Sequence, residues 1–297
     1  MGGWCCLNSC GVQLPMPIRF ETREGALFVV QSFDSPTIYL DHWALRTFAD
    51  NDGDRLRLLN LIKTRGGTLV VSHANLAELA GPEDPRHIEA AAAFLENVLP
   101  NIYFALFDIQ KAIDQERRPR DVAQRLPAPA DVELLLAVAE RRPDDLQPFT
   151  IATLVNLIGS RRHKLRNPWQ QSNLKLANHI NRVRQDVKAR KDAAGFKAHA
   201  VHIPTLAVLQ ELFRPLFLDA NLSFDANDAG DAHHAVISIA HCDFCLLDGK
   251  WEDMHRRMVR RVKQLNLPIR VARVYSARNF GVKRFLQDLE DYEPHAP

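Results

Sequence analysis

The chain has 297 residues, 46% of them hydrophobic, which suits one large domain or a domain that carries an insertion. Its formal net charge of +2 excludes nucleic-acid binding through overall charge, so any such affinity has to come from local patches. The sequence lacks an apolar run long enough for a membrane-spanning helix and a signal-peptide pattern, so we expect a cytoplasmic protein without a membrane partner.

Strands and helices alternate at both ends of the chain. In chain order, the first part predicts strands at 26–31 and 37–40, helices at 42–49 and 53–65, a strand at 68–71, helices at 73–80 and 85–98, and a strand at 102–107. The last part predicts a helix at 229–241, a strand at 244–247, a helix at 251–265, a strand at 269–275 and a helix at 279–290. This alternation predicts an α/β fold, with a mainly parallel sheet covered by helices.

The middle of the chain, from about residue 108 to 224, is mostly helical in pattern and is interrupted by prolines. We interpret it as a large helical insertion in the α/β core. Residues 1–16 are predicted to form a disordered tail, and 17–297 to form a single domain.

Four acidic residues fall at or near the carboxyl ends of predicted strands. Asp41 and Asp248 directly follow strands, Glu78 lies in the helix after another strand, and Asp231 lies in the first turn of a helix. Ligands of open parallel sheets bind at this edge, and carboxylates gathered there stay ionised near neutral pH only with cations between them. Oxygen ligands select Mg²⁺ or Mn²⁺, which can activate water against a phosphodiester. Helix capping is the alternative role for Asp228 and Asp231.

The stretches that carry these acids resemble the PIN-domain nucleases. The family's pattern begins with an acid after the first strand, and "IYLDHWALRTF" resembles this part. The pattern continues with an acid on a following helix, and "LVVSHANLAELAG" resembles that part. "NDAGDAHHAVISIAHCDFCLLDGKW" resembles the family's third and fourth acids, and "ARVYSARNFGVKRFLQDLE" its closing strand and helix. The resemblance covers about 35–110 and 225–292, and leaves the helical middle out.

The resemblance implies a PIN-like three-layer α/β/α fold and a metal-dependent endoribonuclease. Asp41, Glu78, Asp231 and Asp248 would be the catalytic metal ligands for Mg²⁺ or Mn²⁺, and Asp228 would support them. Many small PIN proteins are toxins restrained by a protein antitoxin and others process RNA, and the residues leave both roles open. The sequence departs from the family in its long middle segment and in the Gly-Lys pair after Asp248.

Histidines and cysteines near these motifs have two interpretations each. His42, His73, His233 and His234 could relay protons, although packing or solvent contact is the favoured explanation. The Cys242-x-x-Cys245 pair has the spacing of a zinc or redox motif, but it lacks a matching ligand pair and runs into a strand, which favours ordinary buried thiols.

A strongly basic segment, 161–191, contains ten Lys or Arg and one acid, so its net charge is +9 and the rest of the chain carries −7. A local positive field of this kind attracts phosphate backbones, and an aromatic side chain can add stacking. A solvated helix face is the alternative. The residues that we expect to contact RNA, single-stranded or structured, are Arg161, Arg162, Lys164, Arg166, Trp169 and Lys175. A second basic stretch, "HRRMVRR" at 255–261, is expected to flank the same groove.

Two other functions remain open. One is a non-catalytic RNA-binding or regulatory protein on the same scaffold. The other is a phosphatase or phosphotransferase of the haloacid dehalogenase type, which also has an Asp after its first strand. That family needs a second Asp two residues later, where this chain has Trp43, so the nuclease interpretation is favoured. The chain could also form a homo-oligomer.

Overall fold

The computed structural model describes residues 18–23, 26–80, 85–118, 128–139, 150–195, 200–219 and 221–293. The predicted disordered tail at 1–16 lies outside these residues, as do parts of the predicted insertion. None of the helices within the described ranges is long and apolar enough to cross a membrane.

The central sheet has five parallel strands. Along the chain, the strands are β1 Ile18–Arg23, β2 Ala26–Gln31, β3 Thr37–Leu40, β4 Thr68–Ser72, β5 Ile102–Ala105, β6 Phe244–Leu246 and β7 Arg273–Tyr275. β1 and β2 form a separate antiparallel pair, and the sheet has the order β5-β4-β3-β6-β7. β3, β4, β5 and β6 are buried along their whole length, as expected of parallel strands covered on both faces.

Helices account for most of the remaining described residues. They are α1 His42–Asp50, α2 Asp52–Arg65, α3 His73–Leu79, α4 Pro85–Val98, α5 Ile109–Arg117, α6 Val132–Ala139, α7 Ile151–Gln185, α8 Val187–Gly195, α9 Pro204–Leu218, α10 Ala226–His241, α11 Gly249–Gln264 and α12 Gly281–Glu290. The predicted α/β class with a parallel sheet is confirmed, and the element order is consistent with three layers.

The helices of the predicted insertion pack directly on the helices of the α/β core. α7 contacts α3, α4 and α10, while α9 contacts α10 and α11. One continuous hydrophobic core therefore runs from the sheet into the middle of the chain. α3 and α10 carry predicted site residues, and Asn173, within the basic segment of α7, meets Gly230 of α10.

The strand predicted at 269–275 is shorter than expected, because only Arg273–Tyr275 has a partner. The neighbouring strand β6 has just three residues, and they pair with Arg273, Val274 and Tyr275. The amide of Ala272 instead donates to the carbonyl of Ile239, at the end of α10. The length of β7 is thus set by β6, a strand that lies outside the local sequence of 269–275.

Candidate acidic site at the carboxyl edge of the sheet

Two of the predicted acids lie at the ends of adjacent strands. Leu40 of β3 pairs with Leu246 of β6, and the Asp41 amide donates to the Leu246 carbonyl at 3.0 Å. Asp41 and Asp248 therefore leave the sheet at the same edge. Asp41 is half-buried and Asp248 is exposed.

Asp41 begins α1, and one carboxylate oxygen accepts a hydrogen bond of 2.9 Å from the His42 amide. Burial and, to a smaller extent, the negative charge of Asp248 raise the pKa of Asp41 to about 6, despite the lowering effect of this hydrogen bond. The Asp41 carboxylate therefore lies within electrostatic reach of Asp248.

Asp231 lies on α10 and responds to both of these acids. Burial raises its pKa to about 7, and the charges of Asp41, Asp248 and Asp228 raise it too, whereas Lys250 lowers it. Asp41, Asp231 and Asp248 thus form one electrostatic group, called the acidic cluster below. These pKa shifts link the charges of three predicted site residues.

α10 begins three residues earlier than predicted, and this changes the position of two acids. Its N-cap is Asp225, whose carboxylate accepts from the amides of Asn227 and Asp228, each at 2.9 Å. Asp228 completes a capping box by accepting from the Asp225 amide at 2.8 Å. Asp231 therefore lies in the second turn, beyond the capping positions, and capping does not account for its position.

Asp228 also binds Lys250, one of the two residues after Asp248 that depart from the PIN pattern. The Lys250 ammonium contacts the Asp228 carboxylate and donates to the Ser223 carbonyl at 2.8 Å. Asp228 therefore has a structural role in capping and also holds a cation beside Asp231. The sequence identified Asp228 but did not reveal its pairing with Lys250.

Glu78 lies at the margin of the acidic cluster. Its side chain is 45% exposed, and its Oε2 lies 4.0 Å from His42 Nδ1. The charges of Asp41 and Glu78 both raise the pKa of Tyr39, after burial, which is the largest cause. Glu78 thus lies beside His42, the residue that follows Asp41.

Asp248 occupies the N-cap position of α11, but its side chain makes no capping hydrogen bond. A capping role therefore does not explain an aspartate here. The next residue, Gly249, lies against Arg278, because a Cβ atom at Gly249 would come within 2.5 Å of the Arg278 guanidinium carbon. This close approach puts a cation at the edge of the cluster.

The side chains of the cluster are of the ligand type that Mg²⁺ and Mn²⁺ prefer. All three donors are carboxylates, and burial and mutual repulsion raise the pKa values of two of them. The buried amide oxygen of Asn173 on α7 has no hydrogen-bond partner, and the Asn173 amide packs against Gly230, next to Asp231. Within the described ranges, however, no group of three or more His, Cys, Asp or Glu side chains is arranged to hold a metal ion.

His233 and His234 are buried and act as hydrogen-bond acceptors. His233 Nδ1 accepts from the Ile109 amide at 3.1 Å, and His234 Nδ1 is bonded to the Tyr39 hydroxyl. Burial lowers the pKa of His233, and it lowers the pKa of His234 to about 3. Both rings are therefore neutral at physiological pH, which favours packing over proton relay.

Cys242 and Cys245 are free and buried. Burial raises the pKa of the Cys242 thiol well above its ordinary value, and hydrogen bonding to Cys245 adds to this effect. A protonated, enclosed thiol is unsuited to zinc binding or redox exchange. Their environment agrees with the interpretation as ordinary buried thiols.

The basic segment begins inside α7. The side chains of Arg161, Arg162, Lys164, Arg166 and Trp169 lie outside the described part of the chain, although their backbone belongs to the helix. Lys175 is exposed on the same helix, two residues from Asn173. Within the basic segment, Asn173 meets Gly230 of α10, one residue before Asp231.

The second basic stretch is partly neutralised by carboxylates. Arg257 and Arg261 line a cavity of about 220 Å³ between α9 and α11, together with Arg214, Glu211 and Asp219. Arg261 Nε donates to the buried Glu211 carboxylate at 2.8 Å, and Arg257 lies 3.7 Å from Asp219. These arginines therefore balance nearby acids, and the lining of their cavity contains none of the predicted acidic-site residues.

Comparison with known proteins adds no assignment, because no family model, no curated protein and no solved structure matches this chain. The case for a function therefore depends on the chemistry of the acidic cluster and its surroundings.

Proposed function

We propose that the chain is a PIN-like, metal-dependent endoribonuclease that hydrolyses phosphodiester bonds of RNA. The observation that carries the proposal is the position of Asp41 and Asp248 at the same edge of adjacent parallel strands, with Asp231 in the same electrostatic group. Ligands of parallel sheets bind at this edge. Three carboxylates gathered there are costly to keep ionised without a cation.

Asp41, Asp231 and Asp248 would hold Mg²⁺ or Mn²⁺, with Glu78 at the margin. When bound, the ion would supply an activated water and positive charge to stabilise the phosphodiester transition state. The partial burial of Asp41 and Asp231 keeps bulk water from screening their charges, which strengthens their attraction for a cation.

The basic helix α7 supports RNA as the substrate class. Segment 161–191 has a net charge of +9, and its helix contacts α10 beside Asp231, where Asn173 meets Gly230. A positive helix beside an acidic cluster can hold the phosphate backbone while the acids face the reacting phosphate. We propose that Lys175 and the earlier basic residues of α7 contact this backbone.

A non-catalytic RNA-binding protein is the second candidate, and one feature favours it. Lys250 already places an ammonium group against Asp228 and lowers the pKa of Asp231, so the cluster has an internal counterion. An internal counterion reduces the electrostatic demand for a metal ion. RNA binding through α7 without metal uptake would then be the whole activity.

A cleavage assay separates the two candidates. The full chain is incubated with total RNA and Mn²⁺, and the product ends are mapped, while calorimetric titration with Mn²⁺ is run on the same sample. Metal binding with specific cleavage that EDTA abolishes supports the nuclease. RNA binding without cleavage or metal uptake at millimolar Mn²⁺ supports the non-catalytic protein. Growth arrest on expression, relieved by a co-expressed protein partner, would further support a toxin–antitoxin role.

A further inference from the structure

A buried chain of hydrogen bonds lies beneath the acidic cluster. Ser72 Oγ donates to Asn75 Oδ1 at 2.9 Å, Asn75 Nδ2 donates to the Tyr39 hydroxyl at 3.0 Å, and the Tyr39 hydroxyl is bonded to His234 Nδ1. All four side chains are at most 4% exposed. Tyr39 is the centre of this chain, because its hydroxyl joins the Asn75 amide to the His234 ring.

The donors and acceptors in this chain follow from their chemistry. An amide nitrogen can only donate, so the Tyr39 oxygen accepts from Asn75 and its own hydrogen is left for His234 Nδ1. His234 is then a neutral ring that carries its hydrogen on Nε2. The lowered pKa of His234 agrees with a neutral ring.

Two of the bonded residues lie close in sequence to predicted acids. Tyr39 is in β3, two residues before Asp41, and Asn75 is in α3, three residues before Glu78. A displacement of β3 relative to α3 would therefore change the distance between the first two acids. The hydrogen bond from Asn75 to Tyr39 opposes such a displacement.

The third bonded residue makes the same connection to α10. His234 lies three residues after Asp231, which is about one helical turn. We propose that Tyr39 is a positioning residue, whose hydroxyl fixes β3, α3 and α10 relative to one another and so holds the acidic site together. This inference rests on the proposed function.

The chemistry of the core explains why a hydroxyl is suited to this role. Phe107 stacks on the Tyr39 ring at 4.9 Å between centroids and lies 5.3 Å from the His234 ring, so ring contacts accompany the hydrogen bonds here. Apolar contacts are tolerant of small shifts, whereas hydrogen bonds require particular distances and angles. A buried polar network therefore favours one arrangement of the three elements.

The test compares Tyr39→Phe with Tyr103→Phe. Tyr103 is also fully buried in the sheet, and its hydroxyl donates to the Ala128 carbonyl at 2.7 Å, but it lies in β5, which carries none of the four predicted acids. We expect Tyr39→Phe to weaken Mn²⁺ binding about tenfold in calorimetry and to lower kcat by a similar factor with little change in KM for RNA. Tyr103→Phe should leave Mn²⁺ affinity and kcat at the wild-type values, even where it lowers the unfolding temperature.

A double variant separates positioning from stability. Tyr39→Phe combined with His234→Leu removes the unpaired ring nitrogen and should recover unfolding temperature lost in Tyr39→Phe. We expect its Mn²⁺ affinity to stay about tenfold below wild type. Recovery of Mn²⁺ affinity together with stability would overturn the positioning role.

The nuclease proposal and the positioning role of Tyr39 would fail in different ways in these experiments. If the wild type binds Mn²⁺ and cleaves RNA, and Tyr39→Phe changes neither property, the positioning role is overturned and the nuclease proposal stands. A wild-type chain that neither binds Mn²⁺ nor cleaves RNA would overturn both proposals.

Discussion

The amide of Asp41 donates to the carbonyl of Leu246 at 3.0 Å, which ties the end of the first core strand to the strand that leads to Asp248. The two acids are far apart in the chain, and this hydrogen bond belongs to the ladder that makes their strands neighbours.

Asp248→Asn should lower RNA cleavage by at least about a hundredfold and change the free energy of unfolding by less than about 0.5 kcal/mol. The reason is that the Asp248 side chain is exposed and makes no capping hydrogen bond, so the fold does not depend on it. Cleavage rates and urea unfolding measure the two effects. Asp52→Asn, at an exposed acid on α2 that pairs with Arg55, is the matched control. Equal activity of both variants would contradict the assignment.

The free energy of unfolding should depend on pH through Asp231. Its pKa is raised from 3.8 to about 7, so between these values the folded chain holds a proton that the unfolded chain has lost. Stability from this group is therefore present at low pH and is lost as pH rises through about 7. Asp231→Asn should be more stable than wild type by about 1–3 kcal/mol at pH 8 and nearly equal at pH 4.

Denaturant unfolding across pH 4 to 8 measures this difference. Added Mn²⁺ should stabilise wild type at pH 8 more than it stabilises Asp231→Asn, because the ionised carboxylate contributes to cation binding. A stability difference that is the same at both ends of the range would show that Asp231 does not titrate as proposed.

Lys175→Ala should weaken RNA binding several-fold and lower the slope of log affinity against log salt by about one. Lys175 is exposed on α7, near the point where this helix meets α10. Filter binding at several salt concentrations gives the slope. Lys63→Ala changes an equally exposed lysine on α2, which contacts α1, α4 and α12, and it should leave the slope unchanged. An equal loss in both variants would argue against contact along α7.

Arg261→Met should lower the free energy of unfolding by about 3–5 kcal/mol, because it leaves the buried Glu211 carboxylate without its partner at 2.8 Å. The double variant Arg261→Met/Glu211→Leu should recover most of this loss, since the uncompensated charge is then gone. Urea unfolding of the wild type, the two single variants Arg261→Met and Glu211→Leu, and the double variant completes the cycle. No recovery in the double variant would mean that packing of the arginine stem is the larger effect.

The sequence by itself determined the class of fold and the local setting of the acids. Apolar runs such as 37–40 and 68–72 are strands because they are short, rich in β-branched residues and buried on both faces. An acid that directly follows such a run has to lie at the edge of a parallel sheet. Asp41 and Asp248 were therefore identified from local pattern, while the PIN-like assignment remains a prediction.

Only the tertiary structure decided which side chains meet. The pairing of Lys250 with Asp228, the bond between Tyr39 and His234, and the meeting of Asn173 with Gly230 join residues that lie between 22 and 195 positions apart. Their contacts depend on strand order and helix packing, which are set by the whole core at once. Periodicity reports the face of each element that is buried, but it does not specify which element covers that face.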